Sequence, residues 1–531
     1  MILSKRAQRE FTLSLPSATK YLHTGKDQIY KSIIFIKTNK EEMKYTLIPK
    51  MMIEHCHPKG MPSSTDMEYA RIATEIVSEL AKQDVKDIPL DGLKLMAVNI
   101  TMYFEDVIAD AGIWRGFTNE MKERYGNYLP FYDIDTDNYY QDEPNLDDVR
   151  FLIWYTMLQV HYGKIGNPEN PLLDKLAVAA YSVLEKHFET VSVNEDLKEY
   201  FANPQFLDDF YKQRDVLKWL CYGCYLTYIP DIQERLFEQA QDMAQSMRCD
   251  LDLAYYLAES FMPYQSKIGP LKELPQQWAA MIMRANGNDA AAEIIGSQRK
   301  KGPHAFKLLS VSEDMSITFE SIDGEKFSVS ASNLNHPQEE CYKSKLIIGS
   351  FVQYDGGWYL NGGSAWSDNT EMFEESQTNY NNQKNIVPLY EELRKKAGDN
   401  PLLYFADTES MSDFMRHNLP LGKGMEKGIQ FPPGHKHILV YVPLDSEKDF
   451  EMYPDGALCV KDERNPYYNA KYAKNQAINF VLSVSDEVRD YLISNKLLPD
   501  ATINSTYGLE RGNEIVQQNF DFLIRAVSSR L

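Results

Sequence analysis

Apolar residues recur at helical spacing through most of the first 300 positions, then switch to alternation. Ala73, Ile76, Val77, Leu80 and Ala81 follow Thr65 and Glu68, whose spacing is that of a capping box. Leu93, Met96, Ala97, Ile100, Phe104, Val107, Ile108 and Ala111 make one stripe, predicting a helix from Asp91 to Ala111 with Gly112 as its stop. A further segment with Trp114, Phe117, Met121 and Tyr125 ends at Gly126, and Val149, Leu152, Ile153, Met157 and Val160 share a face behind an Asn145 cap. Helical patterns continue through 172–188, 206–228, 232–247 and 251–261, with no fixed repeat period.

Near Gly302 the period becomes two. AFKLLSVS, SITFES, KFSVSAS, KLIIGSFVQY and WYLNGG read as five short strands, with Asp323-Gly324 and Asp355-Gly356-Gly357 as turns. Five strands in so short a stretch predict a small meander or SH3-like barrel, a module that usually binds. Residues 367–384 are polar and acidic, the composition of a linker. Beyond them the signals mix: 387–397 and 411–417 helical, LLYFA, ILVYVP and ALCV as strands, then helices near 470–482, 487–495 and 509–530. The expected fold is therefore multidomain α+β. It comprises a basic extension (1–50), a mostly α-helical domain (51–300), the small β-barrel (301–366), a linker (367–384) and an α+β domain (385–531).

Residues 1–50 carry ten Lys or Arg against four acidic residues, so the whole negative excess lies downstream. That contrast leaves the segment outside the expected fold, with IYKSIIFIK and MKYTLIP as its best hairpin and Met51 or Met52 as an alternative start. The formal charge of the chain is −21, which repels nucleic acid and anionic lipid at long range. No apolar run approaches the ~20 residues that span a bilayer, and no secretory signal is recognisable. Six cysteines in 531 residues do not make a disulfide scaffold. Together these features read as a cytoplasmic protein with neither membrane nor nucleic acid as partner.

Candidate chemistry is scattered. Asp133, Asp135 and Asp137 occupy the first ligand positions of an EF-hand loop, but Asn138 replaces its glycine and Pro144 its bidentate glutamate. A solvated acidic loop is the plainer reading. Cys221 and Cys224 form C-x-x-C inside an apolar helical run, where a buried pair is expected rather than a redox motif. His55, Cys56 and His57 are good zinc-ligand types, with Cys221 and Cys224 as partners from elsewhere in the chain. Glu105, Asp106 and Asp110 share one helix and suit magnesium or acid–base work, against the commoner reading of a solvated face. The glycines of LGKGMEKG (421–428) lack phosphate-loop spacing, and no nucleophile can be placed beside His435 and His437.

Several stretches together resemble one family of bacterial proteins of the Bacteroides type, domain of unknown function 3843. They include His57 to Tyr69, Tyr103 to Trp114, Tyr125 to Tyr132, Asp142 to Tyr155, Asp462 to Ala473, Leu497 to Ser505 and Val516 to Arg525. The resemblance covers residues 51–531 and implies a bacterial protein but no activity or catalytic residue. The leading expectation is a cytosolic binding or regulatory protein acting through protein–protein contacts, with no cofactor demanded by sequence. The competing one is a metal-dependent, hydrolase-like enzyme in which Glu105, Asp106, Asp133, Asp135 and Asp137 converge around a divalent ion. A third is an acidic surface that imitates nucleic acid before a basic partner.

Overall fold

The computed structural model describes residues 47–528 except 59–60, 84, 86–87, 161–165, 335–338, 419–433, 445–449, 500–513 and 515–517. The hairpin expected from IYKSIIFIK and MKYTLIP, apart from residues 47–49, the glycine-rich segment 421–428, and residues 509–513 and 515–517 of the helix expected over 509–530 lie outside the described residues. Twelve helices come first among the described residues: α1 (Lys50–Cys56), α2 (Asp66–Leu80), α3 (Leu90–Ala109), α4 (Ile113–Tyr125), α5 (Leu146–Val160), α6 (Pro171–His187), α7 (Glu195–Ala202), α8 (Phe210–Tyr222), α9 (Ile232–Ser246), α10 (Leu251–Phe261), α11 (Pro275–Ala285) and α12 (Asp289–Gly296).

The central element is α3. Apolar residues surround it almost entirely, so it is buried on nearly every side rather than along one stripe. It ends two residues earlier than Gly112, at Asp110, which takes the left-handed conformation (φ 53°). The Asp106 carboxylate then accepts from the main-chain N–H groups of Ile113 (3.0 Å) and Trp114 (2.6 Å), starting α4. Trp114, Phe117, Phe151 and Trp278 stack beneath it as an aromatic core.

Strands β1 (Lys300–Val311), β2 (Ser316–Glu320), β3 (Lys326–Ser330), β4 (Leu346–Tyr354), β5 (Gly357–Leu360) and β6 (Ala365–Ser367) form an antiparallel sheet ordered β3-β2-β1-β4-β5, with β6 also pairing β4. The sheet curls into a half-barrel. Its curl brings the Phe327 ring of β3 within 5.2 Å of Trp358 on β5, and the Asn333 amide donates to the Trp358 carbonyl (3.1 Å). All five strands expected from alternation are present, and β6 is additional. Strand β4 is apolar on both faces because Ile347 and Phe351 fill the barrel while Leu346 and Ile348 pack on Leu257 of α10.

The stretch expected as a linker is helical instead: α13 runs from Glu371 to Lys396. Among the described side chains, its buried apolar ones lie toward its two ends. Phe373 packs beside the curled sheet, whereas Tyr390 and Leu393 pack under a second, three-stranded sheet. That sheet is antiparallel β7 (Leu402–Asp407), β8 (Lys436–Tyr441) and β9 (Glu451–Tyr453), with α14 (Thr408–Asn418) on one face. ALCV, expected as a strand, is a 3-10 turn at Gly456–Cys459.

Helices α15 (Ala470–Ser483), α16 (Asp486–Ser494) and α17 (Phe520–Ser528) return to the first half of the chain. Phe522 packs against Phe131 and Phe151, and the Tyr125 hydroxyl donates to Asp521 (2.9 Å). Lys272 pairs with Asp486 at 2.5 Å across the same boundary. One buried apolar cluster consequently runs from Ile48 to Val527. Ile48 is 2% exposed and Lys50 opens α1, so the fold reaches into the segment that composition set apart.

Candidate functional site

The HP dipeptide shapes the site. A residue before proline is pushed out of helical conformation, so α1 stops at Cys56 and His57 is extended (φ −82°, ψ 154°). The loop is pinned from behind by the Trp219 indole, which donates to the Cys56 carbonyl at 2.7 Å. Gly223 allows the approach, since a Cβ there would stand 2.7 Å from the His55 carbonyl oxygen. The glycine inside the C-x-x-C thus serves packing.

His57 is turned inward between two buried carboxylates. Its Nε2 lies 2.7 Å from Glu105 Oε2 on α3, and its Nδ1 lies 3.4 Å from Asp66 Oδ1 at the start of α2. Glu105 and Asp66 are both 0% exposed. The other oxygens are held as well: Asn194 donates to Glu105 Oε1 at 2.8 Å, the Ser63 N–H donates to Asp66 Oδ2 at 2.9 Å, and Lys50 Nζ stands 3.7 Å from that same oxygen. Four separate pieces of chain therefore meet at one imidazole.

Burial opposes the charged form of His57, but the Glu105 hydrogen bond and the charges of Glu105 and Asp66 outweigh it and raise its pKa. Burial raises the Asp66 carboxyl, partly offset by His57 and the Ser63 N–H. A buried carboxylate is tolerable only when paired, and here the pairing is mutual.

The expected residues are distributed as follows. Glu105 and Asp106 are buried, not on a solvated face, because α3 has no solvated face at that level. They point to different places: Glu105 to His57, Asp106 to the start of α4 and the Tyr225 hydroxyl (2.9 Å). Burial pushes Asp106 up to about 6. Asp133, Asp135 and Asp137 are exposed, and the Asp135 side chain accepts from the main chain of Asp137 and the amide of Asn138 within its own loop. The five acidic residues do not converge.

Of the expected zinc ligands, Cys221 and Cys224 are buried free thiols, and burial pushes Cys224 up to about 11. Cys56 lies near Cys224 and is pushed up to about 12, again chiefly by burial. Thiols so shifted are protonated at neutral pH and poor ligands unless a metal displaces the proton. Among the described residues, the group whose donor atoms lie within 4.8 Å of one another is His57, Asp66 and Glu105. It takes one residue from each expected set and adds Asp66.

Asp66 and Asn194 escaped the sequence reading. The expected capping box does not form: Thr65 makes no side-chain cap and its hydroxyl pairs with Ser63 (2.9 Å), while Glu68 reaches the Ser192 N–H (3.3 Å). Asp66, one residue on, takes the inward position. The signal was available in α3, where an apolar run on all sides forces any carboxylate within it to find partners.

A second buried carboxylate, Asp148, accepts from the hydroxyls of Tyr103 (2.6 Å) and Tyr139 (2.9 Å), and burial pushes it up to about 7. Asn145, whose carbonyl accepts from the Val149 N–H (3.3 Å) at the N-cap of α5, is bound up there too, its amide donating to the carbonyls of Tyr140 and Glu143. These groups organise the aromatic loop between α4 and α5.

The architecture is that of a mostly helical protein carrying a curled antiparallel sheet and a sealed histidine–carboxylate centre. The chain belongs to the family described as Protein of unknown function (DUF3843), which matches residues 46–297 and 353–528. The match takes in every residue of the His57 centre and leaves out residues 298–352, most of the curled sheet. No curated protein and no solved structure matches the chain. Among the described residues, no helix is long and apolar enough to cross a membrane.

Proposed function

We propose that this is a cytoplasmic binding or regulatory protein of bacterial type, built from helical, half-barrel and α+β domains, that acts through protein–protein contacts of the curled sheet. The observation that carries this reading is the tip of the β1–β2 hairpin. Leu309, Val311 and Met315 are 37%, 37% and 42% exposed there, whereas Phe306, Ile317 and Phe319 of the same strands are fully buried. A β-bulge between Leu308 and Ser310 shifts the register there, leaving Leu308 opposite Phe319 and Val311 opposite Ile317.

Exposed apolar side chains gathered on a projecting hairpin favour a partner surface over solvent. Glu313 and Asp314 flank them, also exposed, so the complementary surface is apolar with a basic rim. The net charge of −21 supports a protein rather than a nucleic acid as that partner.

The test is co-purification from native cells with wild type and with a Leu309→Ser, Val311→Ser, Met315→Ser variant. A reproducible basic partner retained by wild type and lost by the variant supports the reading. Identical captures from both, or none from either, defeat it.

A further inference from the structure

We propose that His57 and Asp66 ligate a divalent first-row transition ion, with Glu105 as the group that orients the imidazole. This goes beyond the hairpin reading and is independent of it.

The argument starts from two atoms. His57 Nδ1 and Asp66 Oδ1 are buried, neither has a hydrogen-bond partner at good geometry, and they face each other at 3.4 Å. A shared proton calls for roughly 2.7–3.2 Å between nitrogen and oxygen, so the gap is too wide for a good hydrogen bond. Two ligands each about 2.0–2.2 Å from a tetrahedral ion stand roughly 3.3–3.6 Å apart, which is the spacing observed.

The other ring nitrogen supports the assignment. His57 Nε2 is within 2.7 Å of Glu105 Oε2, and Asn194 holds the opposite oxygen at 2.8 Å. A carboxylate that accepts from one imidazole nitrogen fixes the tautomer and leaves the other nitrogen's lone pair for a metal, the usual support of a histidine ligand. Here the lone pair is directed at Asp66. A divalent ion seated there takes the place of an Nδ1 proton and by itself balances the two buried carboxylates.

One imidazole with carboxylate oxygens suits zinc, manganese or iron better than magnesium or calcium, which favour all-oxygen shells. Lys50, 38% exposed at its side chain, stands 3.7 Å from Asp66 Oδ2, on the side of the centre nearest solvent. Cys56 is not required, since its thiol donates to the Met52 carbonyl at 3.3 Å.

The experiment uses the full chain purified without chelator, with metal content by mass spectrometry and thermal midpoints before and after EDTA and on re-addition of zinc, manganese or ferrous ion alone. Wild type is expected to carry about one equivalent, to lose several degrees when stripped, and to regain them with one equivalent. Asp66→Asn loses both the metal and the response. Glu105→Gln, which can still accept from Nε2, binds at least tenfold more weakly but with the same stoichiometry. A variant with Asp133, Asp135 and Asp137 all changed to Asn behaves as wild type.

X-ray absorption of the loaded wild type shows one imidazole, a readout that stands even if Asp66→Asn does not fold. Absence of metal with no chelator effect, a wild-type response in Asp66→Asn, metal lost with the acidic loop, or a spectrum without imidazole each overturns the proposal.

Discussion

The helical part and the curled sheet handle polar groups in opposite ways. Around α3, carboxylates are taken fully inside and made tolerable by partners drawn from distant segments: His57, Asn194, and the hydroxyls of Tyr103, Tyr139 and Tyr225. In the curled sheet the interior is Phe306, Phe319, Phe327, Phe351 and Trp358, with the buried Lys301 lying over the Phe327 and Trp358 rings and reaching out to Glu325 at 2.6 Å. Specificity in the first comes from directional bonds, and in the second from shape. The family match includes the first and omits most of the second.

The largest effect that would sharpen this contrast is at Glu105. Glu105→Ala leaves His57 and Asn194 buried without their common partner, and chemical denaturation is expected to show a loss of about 3–5 kcal/mol. A loss under 1 kcal/mol would mean that the centre is wetter than its burial indicates.

Acidification sets the two regions against each other more gently. Asp148 has a folded pKa of about 7, raised by burial above its unfolded value, so the folded state holds the extra proton between pH 4 and 7. Its contribution is greatest below the unfolded pKa and is lost as pH rises through 7. His304 in β1 runs the other way: burial pushes it down to about 4, so its contribution is full above the unfolded value near 6.5 and is lost as pH falls toward 4. Between pH 7 and 5, hydrogen exchange is expected to quicken across residues 300–367 and to slow around α3 and α5, each by an amount worth on the order of 2 kcal/mol. His304→Gln should abolish the quickening, and Asp148→Asn should reduce the slowing to the share that Asp106, raised to about 6, supplies on α3. Parallel changes in both regions would break the comparison.

The smallest effect is at the hairpin tip. The Leu309, Val311 and Met315 serine variant is expected to keep its denaturation midpoint within about 0.5 kcal/mol of wild type, because exposed side chains give up little packing. A larger loss would make these residues part of the sheet's own core and remove them as a contact surface.

Much of the fold was legible because apolar spacing reports local periodicity directly. Helices α2 to α6 and strands β1 to β5 appear close to where the pattern placed them. What pattern could not supply was context. The 371–384 segment reads as a linker because its polar and acidic residues leave no continuous apolar stripe, and Pro388 further obscures the helix. ALCV reads as a strand because four apolar residues look alike in a strand or a tight turn. At the site, His57 and Glu105 were legible as residue types but not as a pair, since 48 positions separate them. Asp66 was hidden by a better-looking neighbour: Thr65 and Glu68 have capping spacing, and the actual side-chain bonds run elsewhere.

The docking of α17 has a consequence for how the protein is made. Tyr125 and Asp521 touch across 396 positions. Synthesis at about 5–20 residues per second puts roughly 20–80 s between the emergence of one and the other. Through that interval the face formed by Phe131 and Phe151 lacks Phe522, its cover. The nascent chain therefore carries an uncovered aromatic surface for most of its time on the ribosome, and a fragment ending before α17 keeps that surface permanently. Such a fragment is a substrate for chaperones before it is a domain, and its behaviour in isolation reports on the missing helix as much as on itself.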